Sequence, residues 1–196
     1  NRQMDAKGFM MKQGTLIDAT VIEAAPKKPR ANEDGTGGRS PQDPDADWTK
    51  KGGKYHFGYK AHVGIDQGSE LVRKISMTPA HVHDGNMLES ALSGDEDWAF
   101  ADKAYDSKKN HKILKGKGIS NGILIKGTRK RALTAVEKRC NRILSKLRSP
   151  VERVFGTLKR SYRYCRAKYL GLRKNKLQLT MTCIAYNLRR MEKLCA

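Results

Sequence analysis

Cysteine is scarce in this chain, with four residues among 196 and no Cys-x-x-Cys pair. The spacing argues against a disulfide scaffold or a zinc site. It predicts reduced, structural thiols in helical segments of a cytoplasmic protein, at Cys140, Cys165, Cys183 and Cys195. No apolar run reaches the length needed to cross a membrane, and the first residues lack the pattern of a signal peptide. We therefore expect no membrane partner.

Acidic residues are almost missing from residues 107–176, which carry 23 Lys and Arg but only two acids, Glu137 and Glu152. The rest of the chain has 17 basic and 18 acidic residues, so nearly all of the net charge of +20 comes from this one segment. Such a segment favours a polyanionic partner, most often nucleic acid, although a solvated basic face is the simpler alternative.

The length and the hydrophobic pattern together predict one mixed α/β domain with a helical C-terminal tail. Apolar, β-branched runs predict strands over 14–24, 56–66, 71–80, 98–102 and 122–126. Helical periodicity predicts helices over 83–92, 106–118, 134–148, 149–164 and 175–194, with Asp84 as the N-cap of the first. A stretch rich in Pro, Gly, Lys and Asp predicts a surface loop over 26–54.

Two aspartates lie in apolar strand runs, Asp18 in the first predicted strand and Asp102 at the end of the fourth. A charged group in such a run is costly unless it is paired or coordinates a cation. Each aspartate alone is most simply a wet carboxylate at a strand end. Together with a third acid they would supply the hard oxygen ligands that Mg²⁺ takes while keeping positions open for water or phosphate.

Glu152 is the candidate third acid, because it stands nearly alone among basic residues. The segment Ser149-Pro150-Val151-Glu152 also fits a capping box, in which Glu152 would only close a helix N-terminus. On a helical wheel Glu152 and Lys159 fall together at the border of an apolar stripe, so both could face a cleft. The sequence leaves the cap and the ligand roles open.

Five stretches, in this order, resemble the DDE transposases of bacterial insertion sequences, above all the insertion-sequence-five group. They are IDAT at 17–20, GYKAHVGID at 58–66, ADKAYDS at 101–107, RSPVERVFGTLK at 148–159 and IAYNLRRM at 184–191. The family places its last acid in a pattern of Tyr, Arg, Glu and Lys. Here Arg148, Glu152 and Lys159 match it, but Ser145 stands at the Tyr position, which puts a contact near the cut DNA end in doubt.

The resemblance implies an RNase H-like domain, with a mixed five-stranded sheet flanked by helices, over residues 14–196. Residues 1–13 would be the remnant of a truncated N-terminal region. It also implies that Asp18, Asp102 and Glu152 hold two Mg²⁺ (or Mn²⁺) ions. The Asp-x-Ala-Tyr spacing favours Asp102 over its rival Asp106. The implied reaction is cleavage at transposon ends to free a 3′-OH, which then attacks target DNA.

The implied partner is double-stranded DNA, both transposon ends and target, bound by a homo-oligomer in the bacterial nucleoid. Arg148 and Lys159 would contact phosphates near the cut site. The segment 161–174 alternates tyrosines with cations, which would let Tyr162 stack on bases while Arg160 and Arg163 hold phosphates. In the alternative, its tyrosines pack inward. Other readings of the chain are another RNase H-like nuclease, or an inactive basic DNA-binding fragment.

Three further patterns have simpler explanations. The residues HVHD at 81–84 lack the rest of a metallohydrolase motif, so a loop entering a helix is favoured over zinc. The Gly-rich stretch at 33–41 lacks the Lys-Ser/Thr ending of a P-loop. The spacing of Leu177, Met181, Ile184 and Leu188 is most simply that of a core or packing face of the last helix.

Overall fold

The computed structural model describes residues 1–29, 37–128 and 131–195, which form a mixed sheet with helices on both faces. In these ranges the strands are β1 (Gly14–Glu23), β2 (Asp47–Lys51), β3 (Lys54–Asp66), β4 (Val72–Pro79), β5 (Trp98–Ala101) and β6 (Ser120–Ile123). The helices are α1 (Arg2–Ala6), α2 (Leu88–Ala91), α3 (Lys108–Gly116), α4 (Ala135–Arg148), α5 (Pro150–Arg160) and α6 (Leu172–Cys195). Short 3₁₀ turns cover Asp84–Met87 and Lys103–Tyr105.

The sheet contains a parallel half and an antiparallel half that meet at β1. Strands β1, β5 and β6 run parallel, whereas β3 pairs antiparallel with β1 and β4 pairs antiparallel with β3. This mixed sheet with flanking helices confirms the RNase H-like α/β fold. Within the described residues it has six strands rather than the predicted five, because β2 adds a strand against the start of β3.

Side chains of β1 point alternately to the two faces of the sheet and belong to two hydrophobic clusters, one on each face. Leu16 and Ile22 belong to a cluster that includes Val151 and Val154 of α5 and Leu179 of α6. Ile17 points the other way, into a cluster formed with residues of α2, α3, β5 and β6. The central strand is therefore covered on both sides, so a polar group on it reaches solvent only where its neighbours end.

Two local predictions were wrong. The predicted loop over 26–54 contains strand β2, which forms a hairpin with β3; residues 30–36 of that loop, and part of the Gly-rich stretch at 33–41, lie outside the described residues. Asp84 is not an N-cap, because the His83 Nδ1 accepts the hydrogen bond from the Gly85 amide at 3.1 Å. The Asp84 carboxylate instead pairs with Lys60.

The positions of the thiols differ from the prediction. All four cysteines are free, but only Cys183 is buried, while Cys140, Cys165 and Cys195 are exposed. Cys165 lies between α5 and α6 rather than in a helix. No helix within the described ranges is long and apolar enough to cross a membrane.

The last helix presents apolar residues on two opposite faces. Leu179, Cys183 and Tyr186 are buried against the sheet. The stripe predicted as a core or packing face points outward instead, with exposed fractions of 62, 59, 47 and 59% at Leu177, Met181, Ile184 and Leu188. Nothing described in the chain covers this stripe.

Candidate active site

Asp18 and Asp102 lie side by side where β5 ends beside the longer parallel strand β1. The register of β1 and β5 pairs Ile17 with Ala101, and β5 stops there. Asp18 is the next residue of β1, and Asp102 is the first residue beyond β5, where its carboxylate caps the 3₁₀ turn that follows by accepting from the Lys103 amide. Because β1 continues past the end of β5, this edge of the strand is open.

An open cavity of about 170 Å³ occupies that edge. Its walls bring three acids and three lysines together, although they come from distant parts of the chain. The lining residues are Asp18, Ala19, Thr20, Val21, Thr49, Lys50, Lys51, Lys60, Asp84 and Asp102. The structure thus places two of the three predicted acids in one cavity and adds a third carboxylate, Asp84, that sequence reasoning assigned elsewhere.

The Asp18 carboxylate is held between a backbone amide and a guanidinium. Its Oδ1 accepts from the Ala19 amide at 2.8 Å, and its Oδ2 accepts from Arg148 Nη1 at 2.8 Å. Burial raises the pKa of Asp18, the Arg148 charge opposes that shift, and the nearby Asp102 charge adds to it. Two neighbouring, partly buried carboxylates repel each other when both are ionised, and a positive charge between them stabilises the ionised forms.

Glu152 stands at the outer end of the same arrangement. Its side chain is 71% exposed and contributes nothing to the cavity lining, but its Oε1 lies 3.7 Å from Arg148 Nη2. Arg148 therefore lies between Asp18 and Glu152. Within the described ranges, no three His, Cys, Asp or Glu side chains are grouped closely enough to hold a metal ion.

The capping box predicted for Glu152 is not formed. Ser149 has helical backbone angles and makes no side-chain cap, because α4 continues almost directly into α5. Its hydroxyl donates to the Lys146 carbonyl instead. The capping box in this region belongs to α4, where Thr134 and Glu137 form it. The Glu152 carboxylate therefore makes no capping hydrogen bond at the start of α5.

Lys60 and Asp84 form an ion pair in the cavity wall that sequence reasoning missed. Lys60 Nζ lies 2.9 Å from Asp84 Oδ1 and donates to the Val82 carbonyl at 2.8 Å. The zinc site already disfavoured at 81–84 has little support here, since His83 caps the turn and His81 pairs with Asp47. The sequence signal for this pair was Lys60 itself, a charged residue within the mostly buried run of β3.

Tyr105 lies close to these acids and is a second residue that the sequence analysis did not identify. Burial raises the pKa of its hydroxyl well above the usual value, and the charges of Asp18, Asp84 and Asp102 add to that rise. Asp106, the rival of Asp102, serves the fold instead. It accepts from the Lys126 amide at 2.7 Å and pairs with His111 at 2.9 Å, and it does not line the cavity.

The predicted DNA contacts occupy different settings. Lys159 is half-buried, and burial lowers its pKa, as does the nearby charge of Lys51. Arg160 and Arg163 are exposed, and Tyr162 is half-buried against the core. Of the tyrosines in segment 161–174, Tyr164 packs inward and is buried, whereas Tyr169 is 50% exposed and could contact a partner.

Comparison with known proteins agrees with this geometry. Residues 10–188 match the family described as "Transposase DDE domain". A curated relative, "Transposase for insertion sequence element IS1106" from Neisseria meningitidis serogroup B, is 39% identical over 199 residues, covering 96% of this chain and 69% of that protein. With Asp18 of β1 beside Asp102 at the end of β5, and a match over nearly its whole length, the chain belongs to the DDE-domain transposases of insertion sequences.

Proposed function

We propose that the chain cleaves DNA at the ends of an insertion sequence and joins the freed 3′-OH to target DNA, as a member of the insertion-sequence-five group. The observation that carries this proposal is the pair of carboxylates, Asp18 and Asp102, in one open cavity. Asp18, Asp102 and Glu152 would hold two divalent cations, Mg²⁺ or Mn²⁺. When bound, such ions activate the attacking oxygen and stabilise the leaving one.

The donor set suits these cations in chemistry and charge. All three side chains offer hard carboxylate oxygens. The raised pKa of Asp18, caused by burial and increased by the charge of Asp102, favours a cation beside it. Arg148 now supplies that charge between Asp18 and Glu152. Glu152 would join the set when the guanidinium moves away from Asp18 towards a DNA phosphate.

The remaining residues bind and position DNA. Lys159 and Arg148 would hold phosphates near the cut site, and Arg160 and Arg163 would hold phosphates further along α5 and beyond it. Tyr162, half-buried at the end of this helix, would pack against the sugar or base. A guanidinium suits such a role because its fork matches phosphate oxygens.

We expect two copies of the chain to act together on DNA in the nucleoid. The exposed stripe of Leu177, Met181, Ile184 and Leu188 supports this expectation, because its spacing of four, three and four residues is that of a coiled-coil seam. Two such seams bury each other's apolar side chains. A surface of this kind on one copy needs a partner.

The test is cleavage and joining of DNA by the purified chain with Mg²⁺. We expect nicking of end-containing DNA, joining of a pre-cut end, and loss of both in Asp18→Asn, Asp102→Asn and Glu152→Gln. Glu192→Gln, which changes an exposed acid on α6, is the matched control and should keep activity.

Three results would overturn parts of the proposal. Cutting without joining would indicate a nuclease. Binding without cutting would indicate an inactive DNA-binding chain. Undiminished cutting by Glu152→Gln would remove Glu152 from the site.

A further inference from the structure

The β2–β3 hairpin ends in a tip that carries three lysines. Gly52 and Gly53 form its two-residue turn with φ angles of 57° and 78°, the left-handed geometry that glycine adopts without strain. A Cβ placed on either glycine would meet no described atom within 4 Å, so the turn projects into open space. Lys50, Lys51 and Lys54 flank the turn and are exposed.

The base of the hairpin fixes where this tip points. Trp48 packs against the buried ring of Phe57 with centroids 5.3 Å apart. Asp47 Oδ2 lies 2.8 Å from His81 Nδ1, which ties β2 to the segment after β4. Since these contacts hold the first pairs of the ladder, the backbone that carries the lysines has a defined position, and Lys50 Nζ lies 5.1 Å from the centroid of the Tyr55 ring.

The tip stands over the acid cavity. Thr49, Lys50 and Lys51 line the same cavity as Asp18 and Asp102. Lys51 also lies near α5, since its charge acts on Lys159. Two ammonium groups in proximity repel each other, and an anion between them would relieve that repulsion. The hairpin thus forms a basic wall of the cavity that holds the carboxylates.

We propose that the hairpin tip, Lys50, Lys51 and Lys54, binds the phosphate backbone of the DNA that enters the acid cavity. This inference rests on the proposed function, because it takes the cavity to be where DNA is cut. Lysine on a flexible stem suits phosphate as a point charge and carries no base-reading geometry. The tip therefore positions DNA and does not select its sequence.

The chain offers a matched control for the test. The triple variant Lys50→Gln, Lys51→Gln, Lys54→Gln removes three exposed charges from the tip. The variant Lys108→Gln, Lys109→Gln, Lys112→Gln removes three exposed charges from α3, none of which lines the cavity. Both variants change the net charge equally, so general attraction to DNA falls equally in both.

The measurement is the dissociation constant for a labelled DNA duplex of arbitrary sequence, as a function of salt and without divalent metal. Each phosphate contact contributes about 0.9 to the slope of log affinity against log salt. We expect the tip variant to lose about 2 to 3 in slope and the α3 variant distinctly less. A Lys50→Arg, Lys51→Arg, Lys54→Arg variant should keep the wild-type slope.

Equal slopes in the tip and α3 variants would overturn the inference and leave the tip a solvated basic face. The inference would also be overturned if a photo-crosslinker at position 51 attached to DNA no more efficiently than a photo-crosslinker at position 109. Neither measurement needs cleavage. A wild-type chain that binds DNA through the tip but never cuts would refute the proposed function while leaving the hairpin result intact.

Discussion

Arg148 bridges Asp18 and Glu152, with Nη1 at 2.8 Å from Asp18 Oδ2 and Nη2 at 3.7 Å from Glu152 Oε1. The two contacts are unequal in setting. The Asp18 side chain is only 22% exposed, whereas that of Glu152 is 71% exposed. The guanidinium therefore stabilises the fold through Asp18 and merely orients Glu152.

Replacing Arg148 should cost stability through Asp18. Arg148→Ala leaves a mostly buried carboxylate without its counter-charge, and we expect a loss of about 2 kcal/mol in the free energy of unfolding, less than for a fully buried pair. The control is Arg153→Ala, which breaks a pair with Glu70 whose arginine is 65% exposed and should cost less than about 1 kcal/mol. Denaturant unfolding of both variants, and of Arg148→Ala in an Asp18→Ala background, measures the coupling. Equal losses in the two arginine variants would contradict the bridge.

Neutralising Asp18 should stabilise the protein at neutral pH. Burial raises the pKa of Asp18 above its ordinary 3.8, so ionising it costs the folded state more than the unfolded one. Stability contributed by Asp18 is thus lost as the pH rises from about 3.8 through the raised pKa. We expect Asp18→Asn to be more stable than wild type at pH 7, with the gain shrinking towards pH 4. Exposed Asp97→Asn should change little, and a destabilised Asp18→Asn at neutral pH would count against the raised pKa.

His62 should make the fold sensitive to mild acid. Burial lowers its pKa from 6.5 to about 4, and its Nε2 shares a hydrogen bond of 2.9 Å with Thr78 Oγ1. The unfolded chain then binds a proton that the folded chain does not. Stability is therefore complete above pH 6.5 and falls by up to about 3 kcal/mol as the pH drops to about 4.

The variant His62→Gln should flatten that part of the stability profile, whatever its stability at neutral pH. Urea unfolding at several pH values between 4 and 7 gives the slopes of wild type and variant. Identical stability profiles for wild type and His62→Gln would show that a buried, neutral His62 does not cause the loss of stability in mild acid.

The outward stripe of α6 should control self-association. Leu188→Glu places charge in the proposed seam, and we expect the mass in sedimentation or light scattering to fall from dimer to monomer. The unfolding free energy should change little, because Leu188 is 59% exposed. Val136→Glu, on α4 and 72% exposed, is the control that should leave the mass unchanged. A dimer that survives Leu188→Glu would place the contact between copies elsewhere.

The strands and helices that carry the site were predictable because their patterns are local. The apolar alternation around Asp18 and the run ending at Asp102 indicated both strand positions, and the stripe of Val151, Val154 and Leu158 indicated the buried face of α5. The β2–β3 hairpin was missed because loop-forming residues surround it. Its signal was Gly52-Gly53 between Trp48 and Phe57, a common hairpin pattern.

Other misses have a long-range cause. The last helix has apolar residues on two faces, and spacing alone cannot tell which face meets the sheet. Whether Glu152 closes a helix N-terminus depended on whether Ser149 ended a helix or continued it, which the packing of α4 and α5 decided. The Lys60–Asp84 pair joins the middle of β3 to the 3₁₀ turn after β4, so Lys60 could indicate a charge within the strand but not its partner.

The order of residues by itself determined where charge accumulates, which runs are buried and which acids interrupt them, since composition and periodicity act over a few neighbours. Only the folded arrangement decided that Asp18 and Asp102 share a cavity, that Arg148 comes between Asp18 and Glu152, and that a lysine hairpin overhangs them. Those contacts join residues up to 130 positions apart. Their distances depend on strand register and helix placement, which no local pattern specifies.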